Sequence, residues 1–132
     1  MYMLDTDICI YTVKKKPRQV LERLSMVEAG GICMSAITFA ELMCGALKSR
    51  EVEANLATLR RLGELIEVVS FDTRAAEAYG RVRSDLERRG QTIGSLDLLI
   101  AAHALACGFT LVTNNVGEFS RVQGLDVENW AR

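Results

Sequence analysis

Short apolar runs alternate with longer amphipathic ones along this chain, and no hairpin signal joins any two of the short runs. Residues 1–4, 32–35, 67–71 and 109–113 have the length and apolar or β-branched character of buried strands. Helical patterns lie between them. One covers 7–13, capped by Asp7; a second is opened by Pro17 and carries Val20, Leu21 and Leu24 on one face, and Gly30-Gly31 then makes a turn. A third, 38–47, contains Phe39, Leu42 and Met43, and in the fourth, 51–65, Val52, Leu56, Leu59 and Leu62 recur every three or four positions. Ala75, Ala76, Tyr79, Val82 and Leu86 mark a fifth that ends at Gly90. The sixth runs from a Ser95 cap to about Cys107 and stops at Gly108. A turn of helix at 116–119 and an edge strand at 125–130 complete the pattern. Strands separated by helices run parallel, and a parallel sheet is covered on both faces. The expected fold is α/β, a three-layer sandwich with a mostly parallel central sheet flanked by helices, in a single domain spanning residues 1–132.

No apolar run approaches the roughly 18 residues of a membrane span. Residues 1–13 carry Asp5 and Asp7 and lack the basic start of a signal peptide, so a cytoplasmic protein is expected. Cys9, Cys33, Cys44 and Cys107 stand singly among apolar neighbours, which reads as buried reduced thiols rather than a zinc or redox site. The chain has one histidine, His103. That excludes paired-histidine acid–base chemistry and a zinc site of two cysteines and two histidines with finger spacing, so catalysis must lean on carboxylates.

Carboxylates and their neighbours fall at comparable points of the β-α units. Asp5 follows the first strand directly, Glu41 sits near the start of the helix after the second, Asp97 lies two residues past the Ser95 cap, and Asn115 and Glu118 follow the strand ending at Thr113. Loops converge beyond the carboxyl ends of parallel strands, so four segments deliver oxygen ligands to one sheet edge. Hard oxygen donors suit Mg²⁺ or Mn²⁺, with Asp5 and Asp97 as metal ligands and Glu41 and Glu118 as ligands or bases for an attacking water. Thr6, Ser35 and Thr113 are candidate hydroxyls to orient those acids, and Asp7 is a cap or an outer neighbour. Structural roles compete: Thr38 to Glu41 matches a capping box, and Asp97 suits a helix dipole that favours its ionised form. His103 lies roughly 240° around the helix from Asp97, so it is structural or an outer contact.

The net charge is −1, yet setting aside Asp5, Asp7, Glu41, Asp97 and Glu118 leaves twelve acids against sixteen bases. Lys14, Lys15, Lys16 and Arg18 form one basic group, with Arg60-Arg61 and Arg88-Arg89 further on. An acidic pocket rimmed by bases suits a phosphodiester held by its backbone and cut with the help of metal ions.

In the order and spacing of these motifs the sequence resembles the PIN-domain ribonucleases, specifically the VapC toxins of toxin–antitoxin pairs. The likeness rests on Met3 to Ile10, on Ile32 to Ser35 followed by Ala40-Glu41-Leu42, on Ile93 to Ala101, and on Leu111 to Asn115 followed by Glu118-Phe119. It implies a PIN-like fold and a metal-dependent endoribonuclease that cuts structured RNA, tRNA for members with this pattern, and so inhibits translation. It implies an acidic triad of Asp5, Glu41 and Asp97, and a fourth acid where this chain has Asn115, with Glu118 as the carboxylate available to replace it. A homodimer and a cognate antitoxin that sets a basic side chain among the acids come with the resemblance. Asp5-Thr6-Asp7 after an apolar strand also looks like the first motif of haloacid-dehalogenase-like phosphatases, with Asp5 as nucleophile. A third reading is a non-catalytic domain that binds RNA or protein through its basic rim.

Overall fold

The computed structural model describes residues 1–28 and 30–132. Strands β1 (Tyr2–Leu4), β2 (Ile32–Ser35), β3 (Glu67–Val69), β4 (Thr110–Val112) and β5 (Val127–Glu128) form one sheet in the order β3-β2-β1-β4-β5. Every pairing among them is parallel. The connections hold α1 (Thr6–Lys14), α2 (Arg18–Met26), α3 (Ala36–Leu47), α4 (Val52–Leu65), α5 (Thr73–Arg88), α6 (Ser95–Cys107) and α7 (Val116–Phe119).

Strand residues alternate between two cores. Met3, Cys33 and Leu111 point to one face, against Val82 and Leu86 of α5 and Ile100, Ala101 and Ala104 of α6. Leu4, Met34 and Val112 point to the other, against Ile8, Val20, Leu62 and Trp130. These are the three layers expected, and they explain why the strands read as continuous apolar runs rather than alternating ones.

Chain order decides where a site can form. β2 and β3 are added on one side of β1, and the chain then crosses over to lay down β4 and β5 on the other. Such a reversal opens a crevice beyond the carboxyl ends of β1 and β4. Leu4 is in register with both Met34 and Val112, so Asp5, Ser35 and Thr113 leave the sheet at one level. The Asp5 N–H extends the ladder by donating to the Val112 carbonyl at 3.0 Å.

Several helix starts differ from the sequence expectation, each because a different side chain takes the cap. Asp5, not Asp7, caps α1, and its Oδ1 accepts from the Ile8 N–H at 2.9 Å. Ser35 caps α3 through the Ile37 N–H at 3.0 Å, so that helix begins at Ala36 and Thr38 is buried inside it. The Thr38 to Glu41 capping box is therefore not formed. Gly94 stands before α6 and Ser95 is its first helical residue, with no side-chain cap. β3 is shorter than expected because Asp72 caps α5 through the Ala75 N–H, which turns the chain away after Val69. Gly108 stops α6 with φ +70°, as expected.

All four cysteines are free, and Cys9 and Cys33 are buried, where desolvation pushes both thiols up, Cys33 to about 12. Cys44 is exposed and Cys107 only partly covered, which corrects the expectation that all four are buried. Helical spacing puts Cys44 on the outer face of α3 with Ala40 and Lys48.

Trp130 is 1% exposed; its ring meets Tyr2 edge to face at 5.1 Å and its Nε1 donates to Glu128 at 3.0 Å. It closes one core beside the edge strand. Trp130→Ala is expected to lower the unfolding free energy by about 3–5 kcal/mol, the range for emptying a large buried aromatic site. Urea denaturation followed by circular dichroism measures it, and a loss below about 1 kcal/mol would contradict that anchoring role.

Candidate active site

Asp5 is 5% exposed at the end of β1. Burial is the largest influence on its carboxyl group and raises its pKa to about 6. The Thr113 hydroxyl and the Ile8 N–H lower it in part, and the charges of Asp7 and Glu41 push it up again. Thr113 is itself fixed, because its oxygen accepts the Asn115 N–H at 3.0 Å. Asp5 is thus both the cap of α1 and the deepest acid of the crevice.

Glu41 faces the same crevice from the second turn of α3, where its Oε1 accepts a hydrogen bond from the Thr6 hydroxyl at 2.6 Å. The Thr38 hydroxyl stands 3.5 Å from that of Thr6. The first residue of α1 thereby ties two carboxylate-bearing helices together.

Asp97 lies in the first turn of α6, the position where a helix dipole favours a negative charge. Its pKa is nevertheless raised, to about 7. Desolvation is the main cause, followed by the charge and hydrogen bond of Glu118 and by the more distant charges of Asp5 and Glu41. The expectation that the dipole keeps Asp97 ionised is corrected: burial among like charges outweighs a surface-scale dipole effect of about 0.3–1 kcal/mol.

Glu118 reaches Asp97 from α7 and is held at both oxygens. Oε1 accepts from the Gly94 N–H at 2.7 Å, and Oε2 from the Asn115 side-chain amide. A Cβ at Gly94 would sit 3.4 Å from Asp97 Oδ2 and 3.6 Å from Glu118 Oε1. The Gly94 N–H is thus a donor to one of the two carboxylates at the point where they meet. The sequence reading missed that hydrogen bond, although a glycine directly before a helix and three positions from a site acid was the available signal.

The remaining candidates divide. Thr6 and Thr113 hydrogen-bond acids, as expected. Ser35 contacts none; it pairs with His103 Nδ1 at 2.8 Å and so ties α3 to α6. His103 is buried against Phe71, its Nε2 has no hydrogen-bond partner among the described residues, and desolvation lowers its pKa despite the charge of Asp72. It faces away from Asp97, as the helical arithmetic required. Asp7 is exposed and acts on Asp5 only through its charge. Lys14, Lys15 and Lys16 are exposed at the far end of α1, about 13 Å along the helix from Asp5, and Arg18 pairs with Glu22 at 3.1 Å. Among the described residues no three carboxylate, imidazole or thiol groups converge closely enough to grip one ion as they stand. The crevice is acidic and open, not a closed cage.

Fold and site together define an α/β protein with carboxylates gathered at the carboxyl edge of a parallel sheet. A family model described as PIN domain matches residues 2–125, and the chain belongs to the PIN-domain family. Its curated relatives include the tRNA(fMet)-specific endonuclease VapC of Shigella flexneri, 44% identical over 130 residues and covered to 98% on both sides. Ribonuclease VapC2 of Rickettsia felis is 41% identical over 131 residues, with the same coverage. Among solved structures, the DNA-bound VapBC of Salmonella typhimurium superposes with a TM-score of 0.92 at 42% identity, covering 98% of this chain and 97% of that one. VapBC2 of Rickettsia felis, bound to a promoter DNA fragment, gives 0.90 at 41% identity, with 98% of each chain covered.

Because Asp5 and Asp97 titrate above the usual carboxylate value of 3.8 in the folded chain, the folded state holds protons that the unfolded state has released. Stability of the metal-free protein therefore falls as pH rises between about 4 and 7. Denaturant titrations in chelator are expected to show a loss of about 2 kcal/mol from about pH 5 to about pH 8, after allowance for solvent screening. Asp97→Asn should remove much of that slope, and a slope of opposite sign would refute the crowding of these acids.

Proposed function

We propose that this protein is a metal-dependent endoribonuclease that acts as the toxin of a toxin–antitoxin pair. The observation that carries the reading is the meeting of Asp5, Glu41, Asp97 and Glu118, from four separate segments, at the reversal point of the sheet, with the two aspartates held far above their ordinary pKa values. Structural acids are seldom crowded at such a cost, whereas a site for a hard cation needs that crowding. The donor set fits Mg²⁺ or Mn²⁺: every group is a carboxylate, amide or hydroxyl oxygen, and a cation relieves the repulsion that raises Asp5 and Asp97. Asp5 and Asp97 would hold the ion, with Glu41 and Glu118 beside it. When bound, it supplies a water of lowered pKa and positive charge against the phosphate.

The chain's own groups do the rest. Glu118, gripped by the Gly94 amide and the Asn115 side chain, presents a fixed carboxylate that can take the proton of the attacking water. Thr113 and Thr6 orient Asp5 and Glu41. Hydrolysis adds water across a P–O bond of the RNA backbone. Lys14, Lys15, Lys16 and Arg18 hold neighbouring phosphates, and tRNA is the substrate class that the names of the relatives support. Cutting tRNA inhibits translation.

An antitoxin partner is supported by the VapBC titles of the similar structures. A groove of about 320 Å³ between α1, α3 and α4, with Ile10, Val13, Leu42 and Leu59 in its walls, leads to Thr6 and Glu41. An apolar antitoxin segment fits that path, with a basic side chain reaching the acids. A homodimer, a cytoplasmic location and a single nuclease domain over residues 1–132 belong to the same reading. A phosphatase with Asp5 as nucleophile is disfavoured, since one Asp5 oxygen is committed to the helix cap and its carboxylate also accepts from Thr113.

Purified protein incubated with tRNA and Mg²⁺ or Mn²⁺ should cut at defined positions, read by mapping the new ends. Asp5→Ala should abolish cutting, and Asp97→Asn and Glu118→Gln should each lower the rate roughly a hundredfold or more. Undiminished cleavage by Asp97→Asn would overturn the site assignment. Absence of cleavage with either ion would favour a binding domain.

A further inference from the structure

The acids occupy one flank of α1, and the other flank borders a second concavity. Tyr11, Lys14, Lys16, Asn114, Asn129 and Arg132 line an open groove of about 750 Å³. It carries three cations and no acid among its lining residues. Among the described residues none of the three is in an ion pair, whereas nearby Arg18 makes an exposed pair with Glu22. In a chain of net charge −1 this is a local concentration of uncompensated positive charge.

The groove shares a wall with the candidate active site. Asn114 Nδ2 donates to the Tyr11 phenol at 2.6 Å. Asn114 lies between Thr113, which hydrogen-bonds Asp5, and Asn115, which grips Glu118. The phenol oxygen accepts from Asn114 and so keeps its own proton free to donate. A strand leaving the acids thus meets a hydroxyl donor and then a row of cations.

Both ends of the groove are built rather than frayed. At one end Lys15 closes α1 as a left-handed C-cap with φ +58°, and the Lys16 N–H turns back to the Tyr11 carbonyl at 3.0 Å. This brings the basic run back over the end of α1. At the other end Trp130 is locked in the core, and Asn129 Oδ1 accepts the Ala131 N–H at 2.8 Å, holding the segment that bears Arg132 against the groove.

We infer that this groove is the track of the RNA strand on one side of the scissile phosphodiester, with Lys14, Lys16 and Arg132 on successive phosphates and the Tyr11–Asn114 pair on the nucleotide nearest the cut. RNA is favoured over an acidic protein segment because the groove is polar and basic and adjoins the Thr113–Asn115 segment, whose side chains contact Asp5 and Glu118. The inference rests on the nuclease reading above and extends it to Arg132, Tyr11 and Asn114.

Equilibrium binding of unfractionated tRNA to the Asp5→Asn chain, measured across salt concentration, tests it. Lys16→Ala and Arg132→Ala together should make the slope of log K against log salt shallower by about 2, one for each lost phosphate contact, and weaken binding roughly tenfold or more near physiological salt. The same pair in the otherwise native chain should raise the KM for tRNA. Lys16→Arg with Arg132→Lys should restore the slope. Both side chains are exposed, and an unchanged thermal midpoint checks that folding is intact. An unchanged slope overturns the track. If the slope is unchanged and binding of the cognate antitoxin weakens instead, the groove belongs to an acidic protein segment and the proposal falls. Native chain that cuts tRNA while the slope stays fixed refutes the track alone; a shifted slope with no cutting by native chain refutes the nuclease reading and leaves the track standing.

Discussion

Like charges desolvated together are the costliest arrangement in this molecule, and the sheet edge is organised around holding them. Asp97 is pushed to about 7 and Asp5 to about 6 by burial and by one another's neighbours. A carboxylate can stay in such a place only if each oxygen not meant for a ligand is met by a donor. The donors are present. Asp5 takes the Ile8 N–H and Thr113 hydroxyl, Glu41 takes Thr6, and Glu118 takes the Gly94 N–H and Asn115 amide. Most come from helix starts or from the residue following a strand, where unsatisfied backbone amides are available.

The parallel sheet supplies these positions. Because β1, β2 and β4 end at one level, the residues after them arrive together, and each is recruited: Asp5 as cap and acid, Ser35 as cap and tie to His103, Thr113 as donor to Asp5. The Asp5 cap has a double consequence. It starts α1 one residue after β1, which points Thr6 at Glu41, and it spends one oxygen on the helix, which leaves less freedom for the carboxyl group to swing. Stability and site geometry are therefore linked through the same hydrogen bond.

Much of this was legible in the sequence, and the limit of legibility has a physical form. Period and punctuation revealed the β-α alternation, the bounds of β2, the Gly108 stop and α7, because these depend on residues within a few positions of one another. Of the candidate acids, Asp5 directly follows β1, whereas Glu41 lies in the second turn of α3 and Asp97 in the first turn of α6, after a helix rather than a strand. Cap assignment was not legible: Asp5 and Asp7, or Ser95 and Gly94, differ by one or two positions, and the choice is settled by which side chain the sheet register brings within reach. Nor were the links that shape the site, such as Thr6 to Glu41 or Gly94 to Glu118, because they join residues far apart in the chain and leave no periodic trace. Cys44 failed for a simpler reason, as apolar neighbours in sequence are not neighbours on a helix face.

Asn115 illustrates how a departure from a pattern can be compensated. Where the resemblance led one to expect a fourth acid, this chain has an amide, and the amide donates to Glu118 three residues on. An acid at 115 could not donate that bond while ionised; it would add a further negative charge beside a carboxylate that already raises Asp97. The amide replaces that repulsion with a hydrogen bond to a side chain whose other oxygen accepts from the Gly94 N–H. Glu118 thereby reaches the Asp97 carboxyl group, whose pKa its charge and hydrogen bond help to raise. The Asn115 amide and the Gly94 N–H thus hold Glu118 at both oxygens beside Asp97.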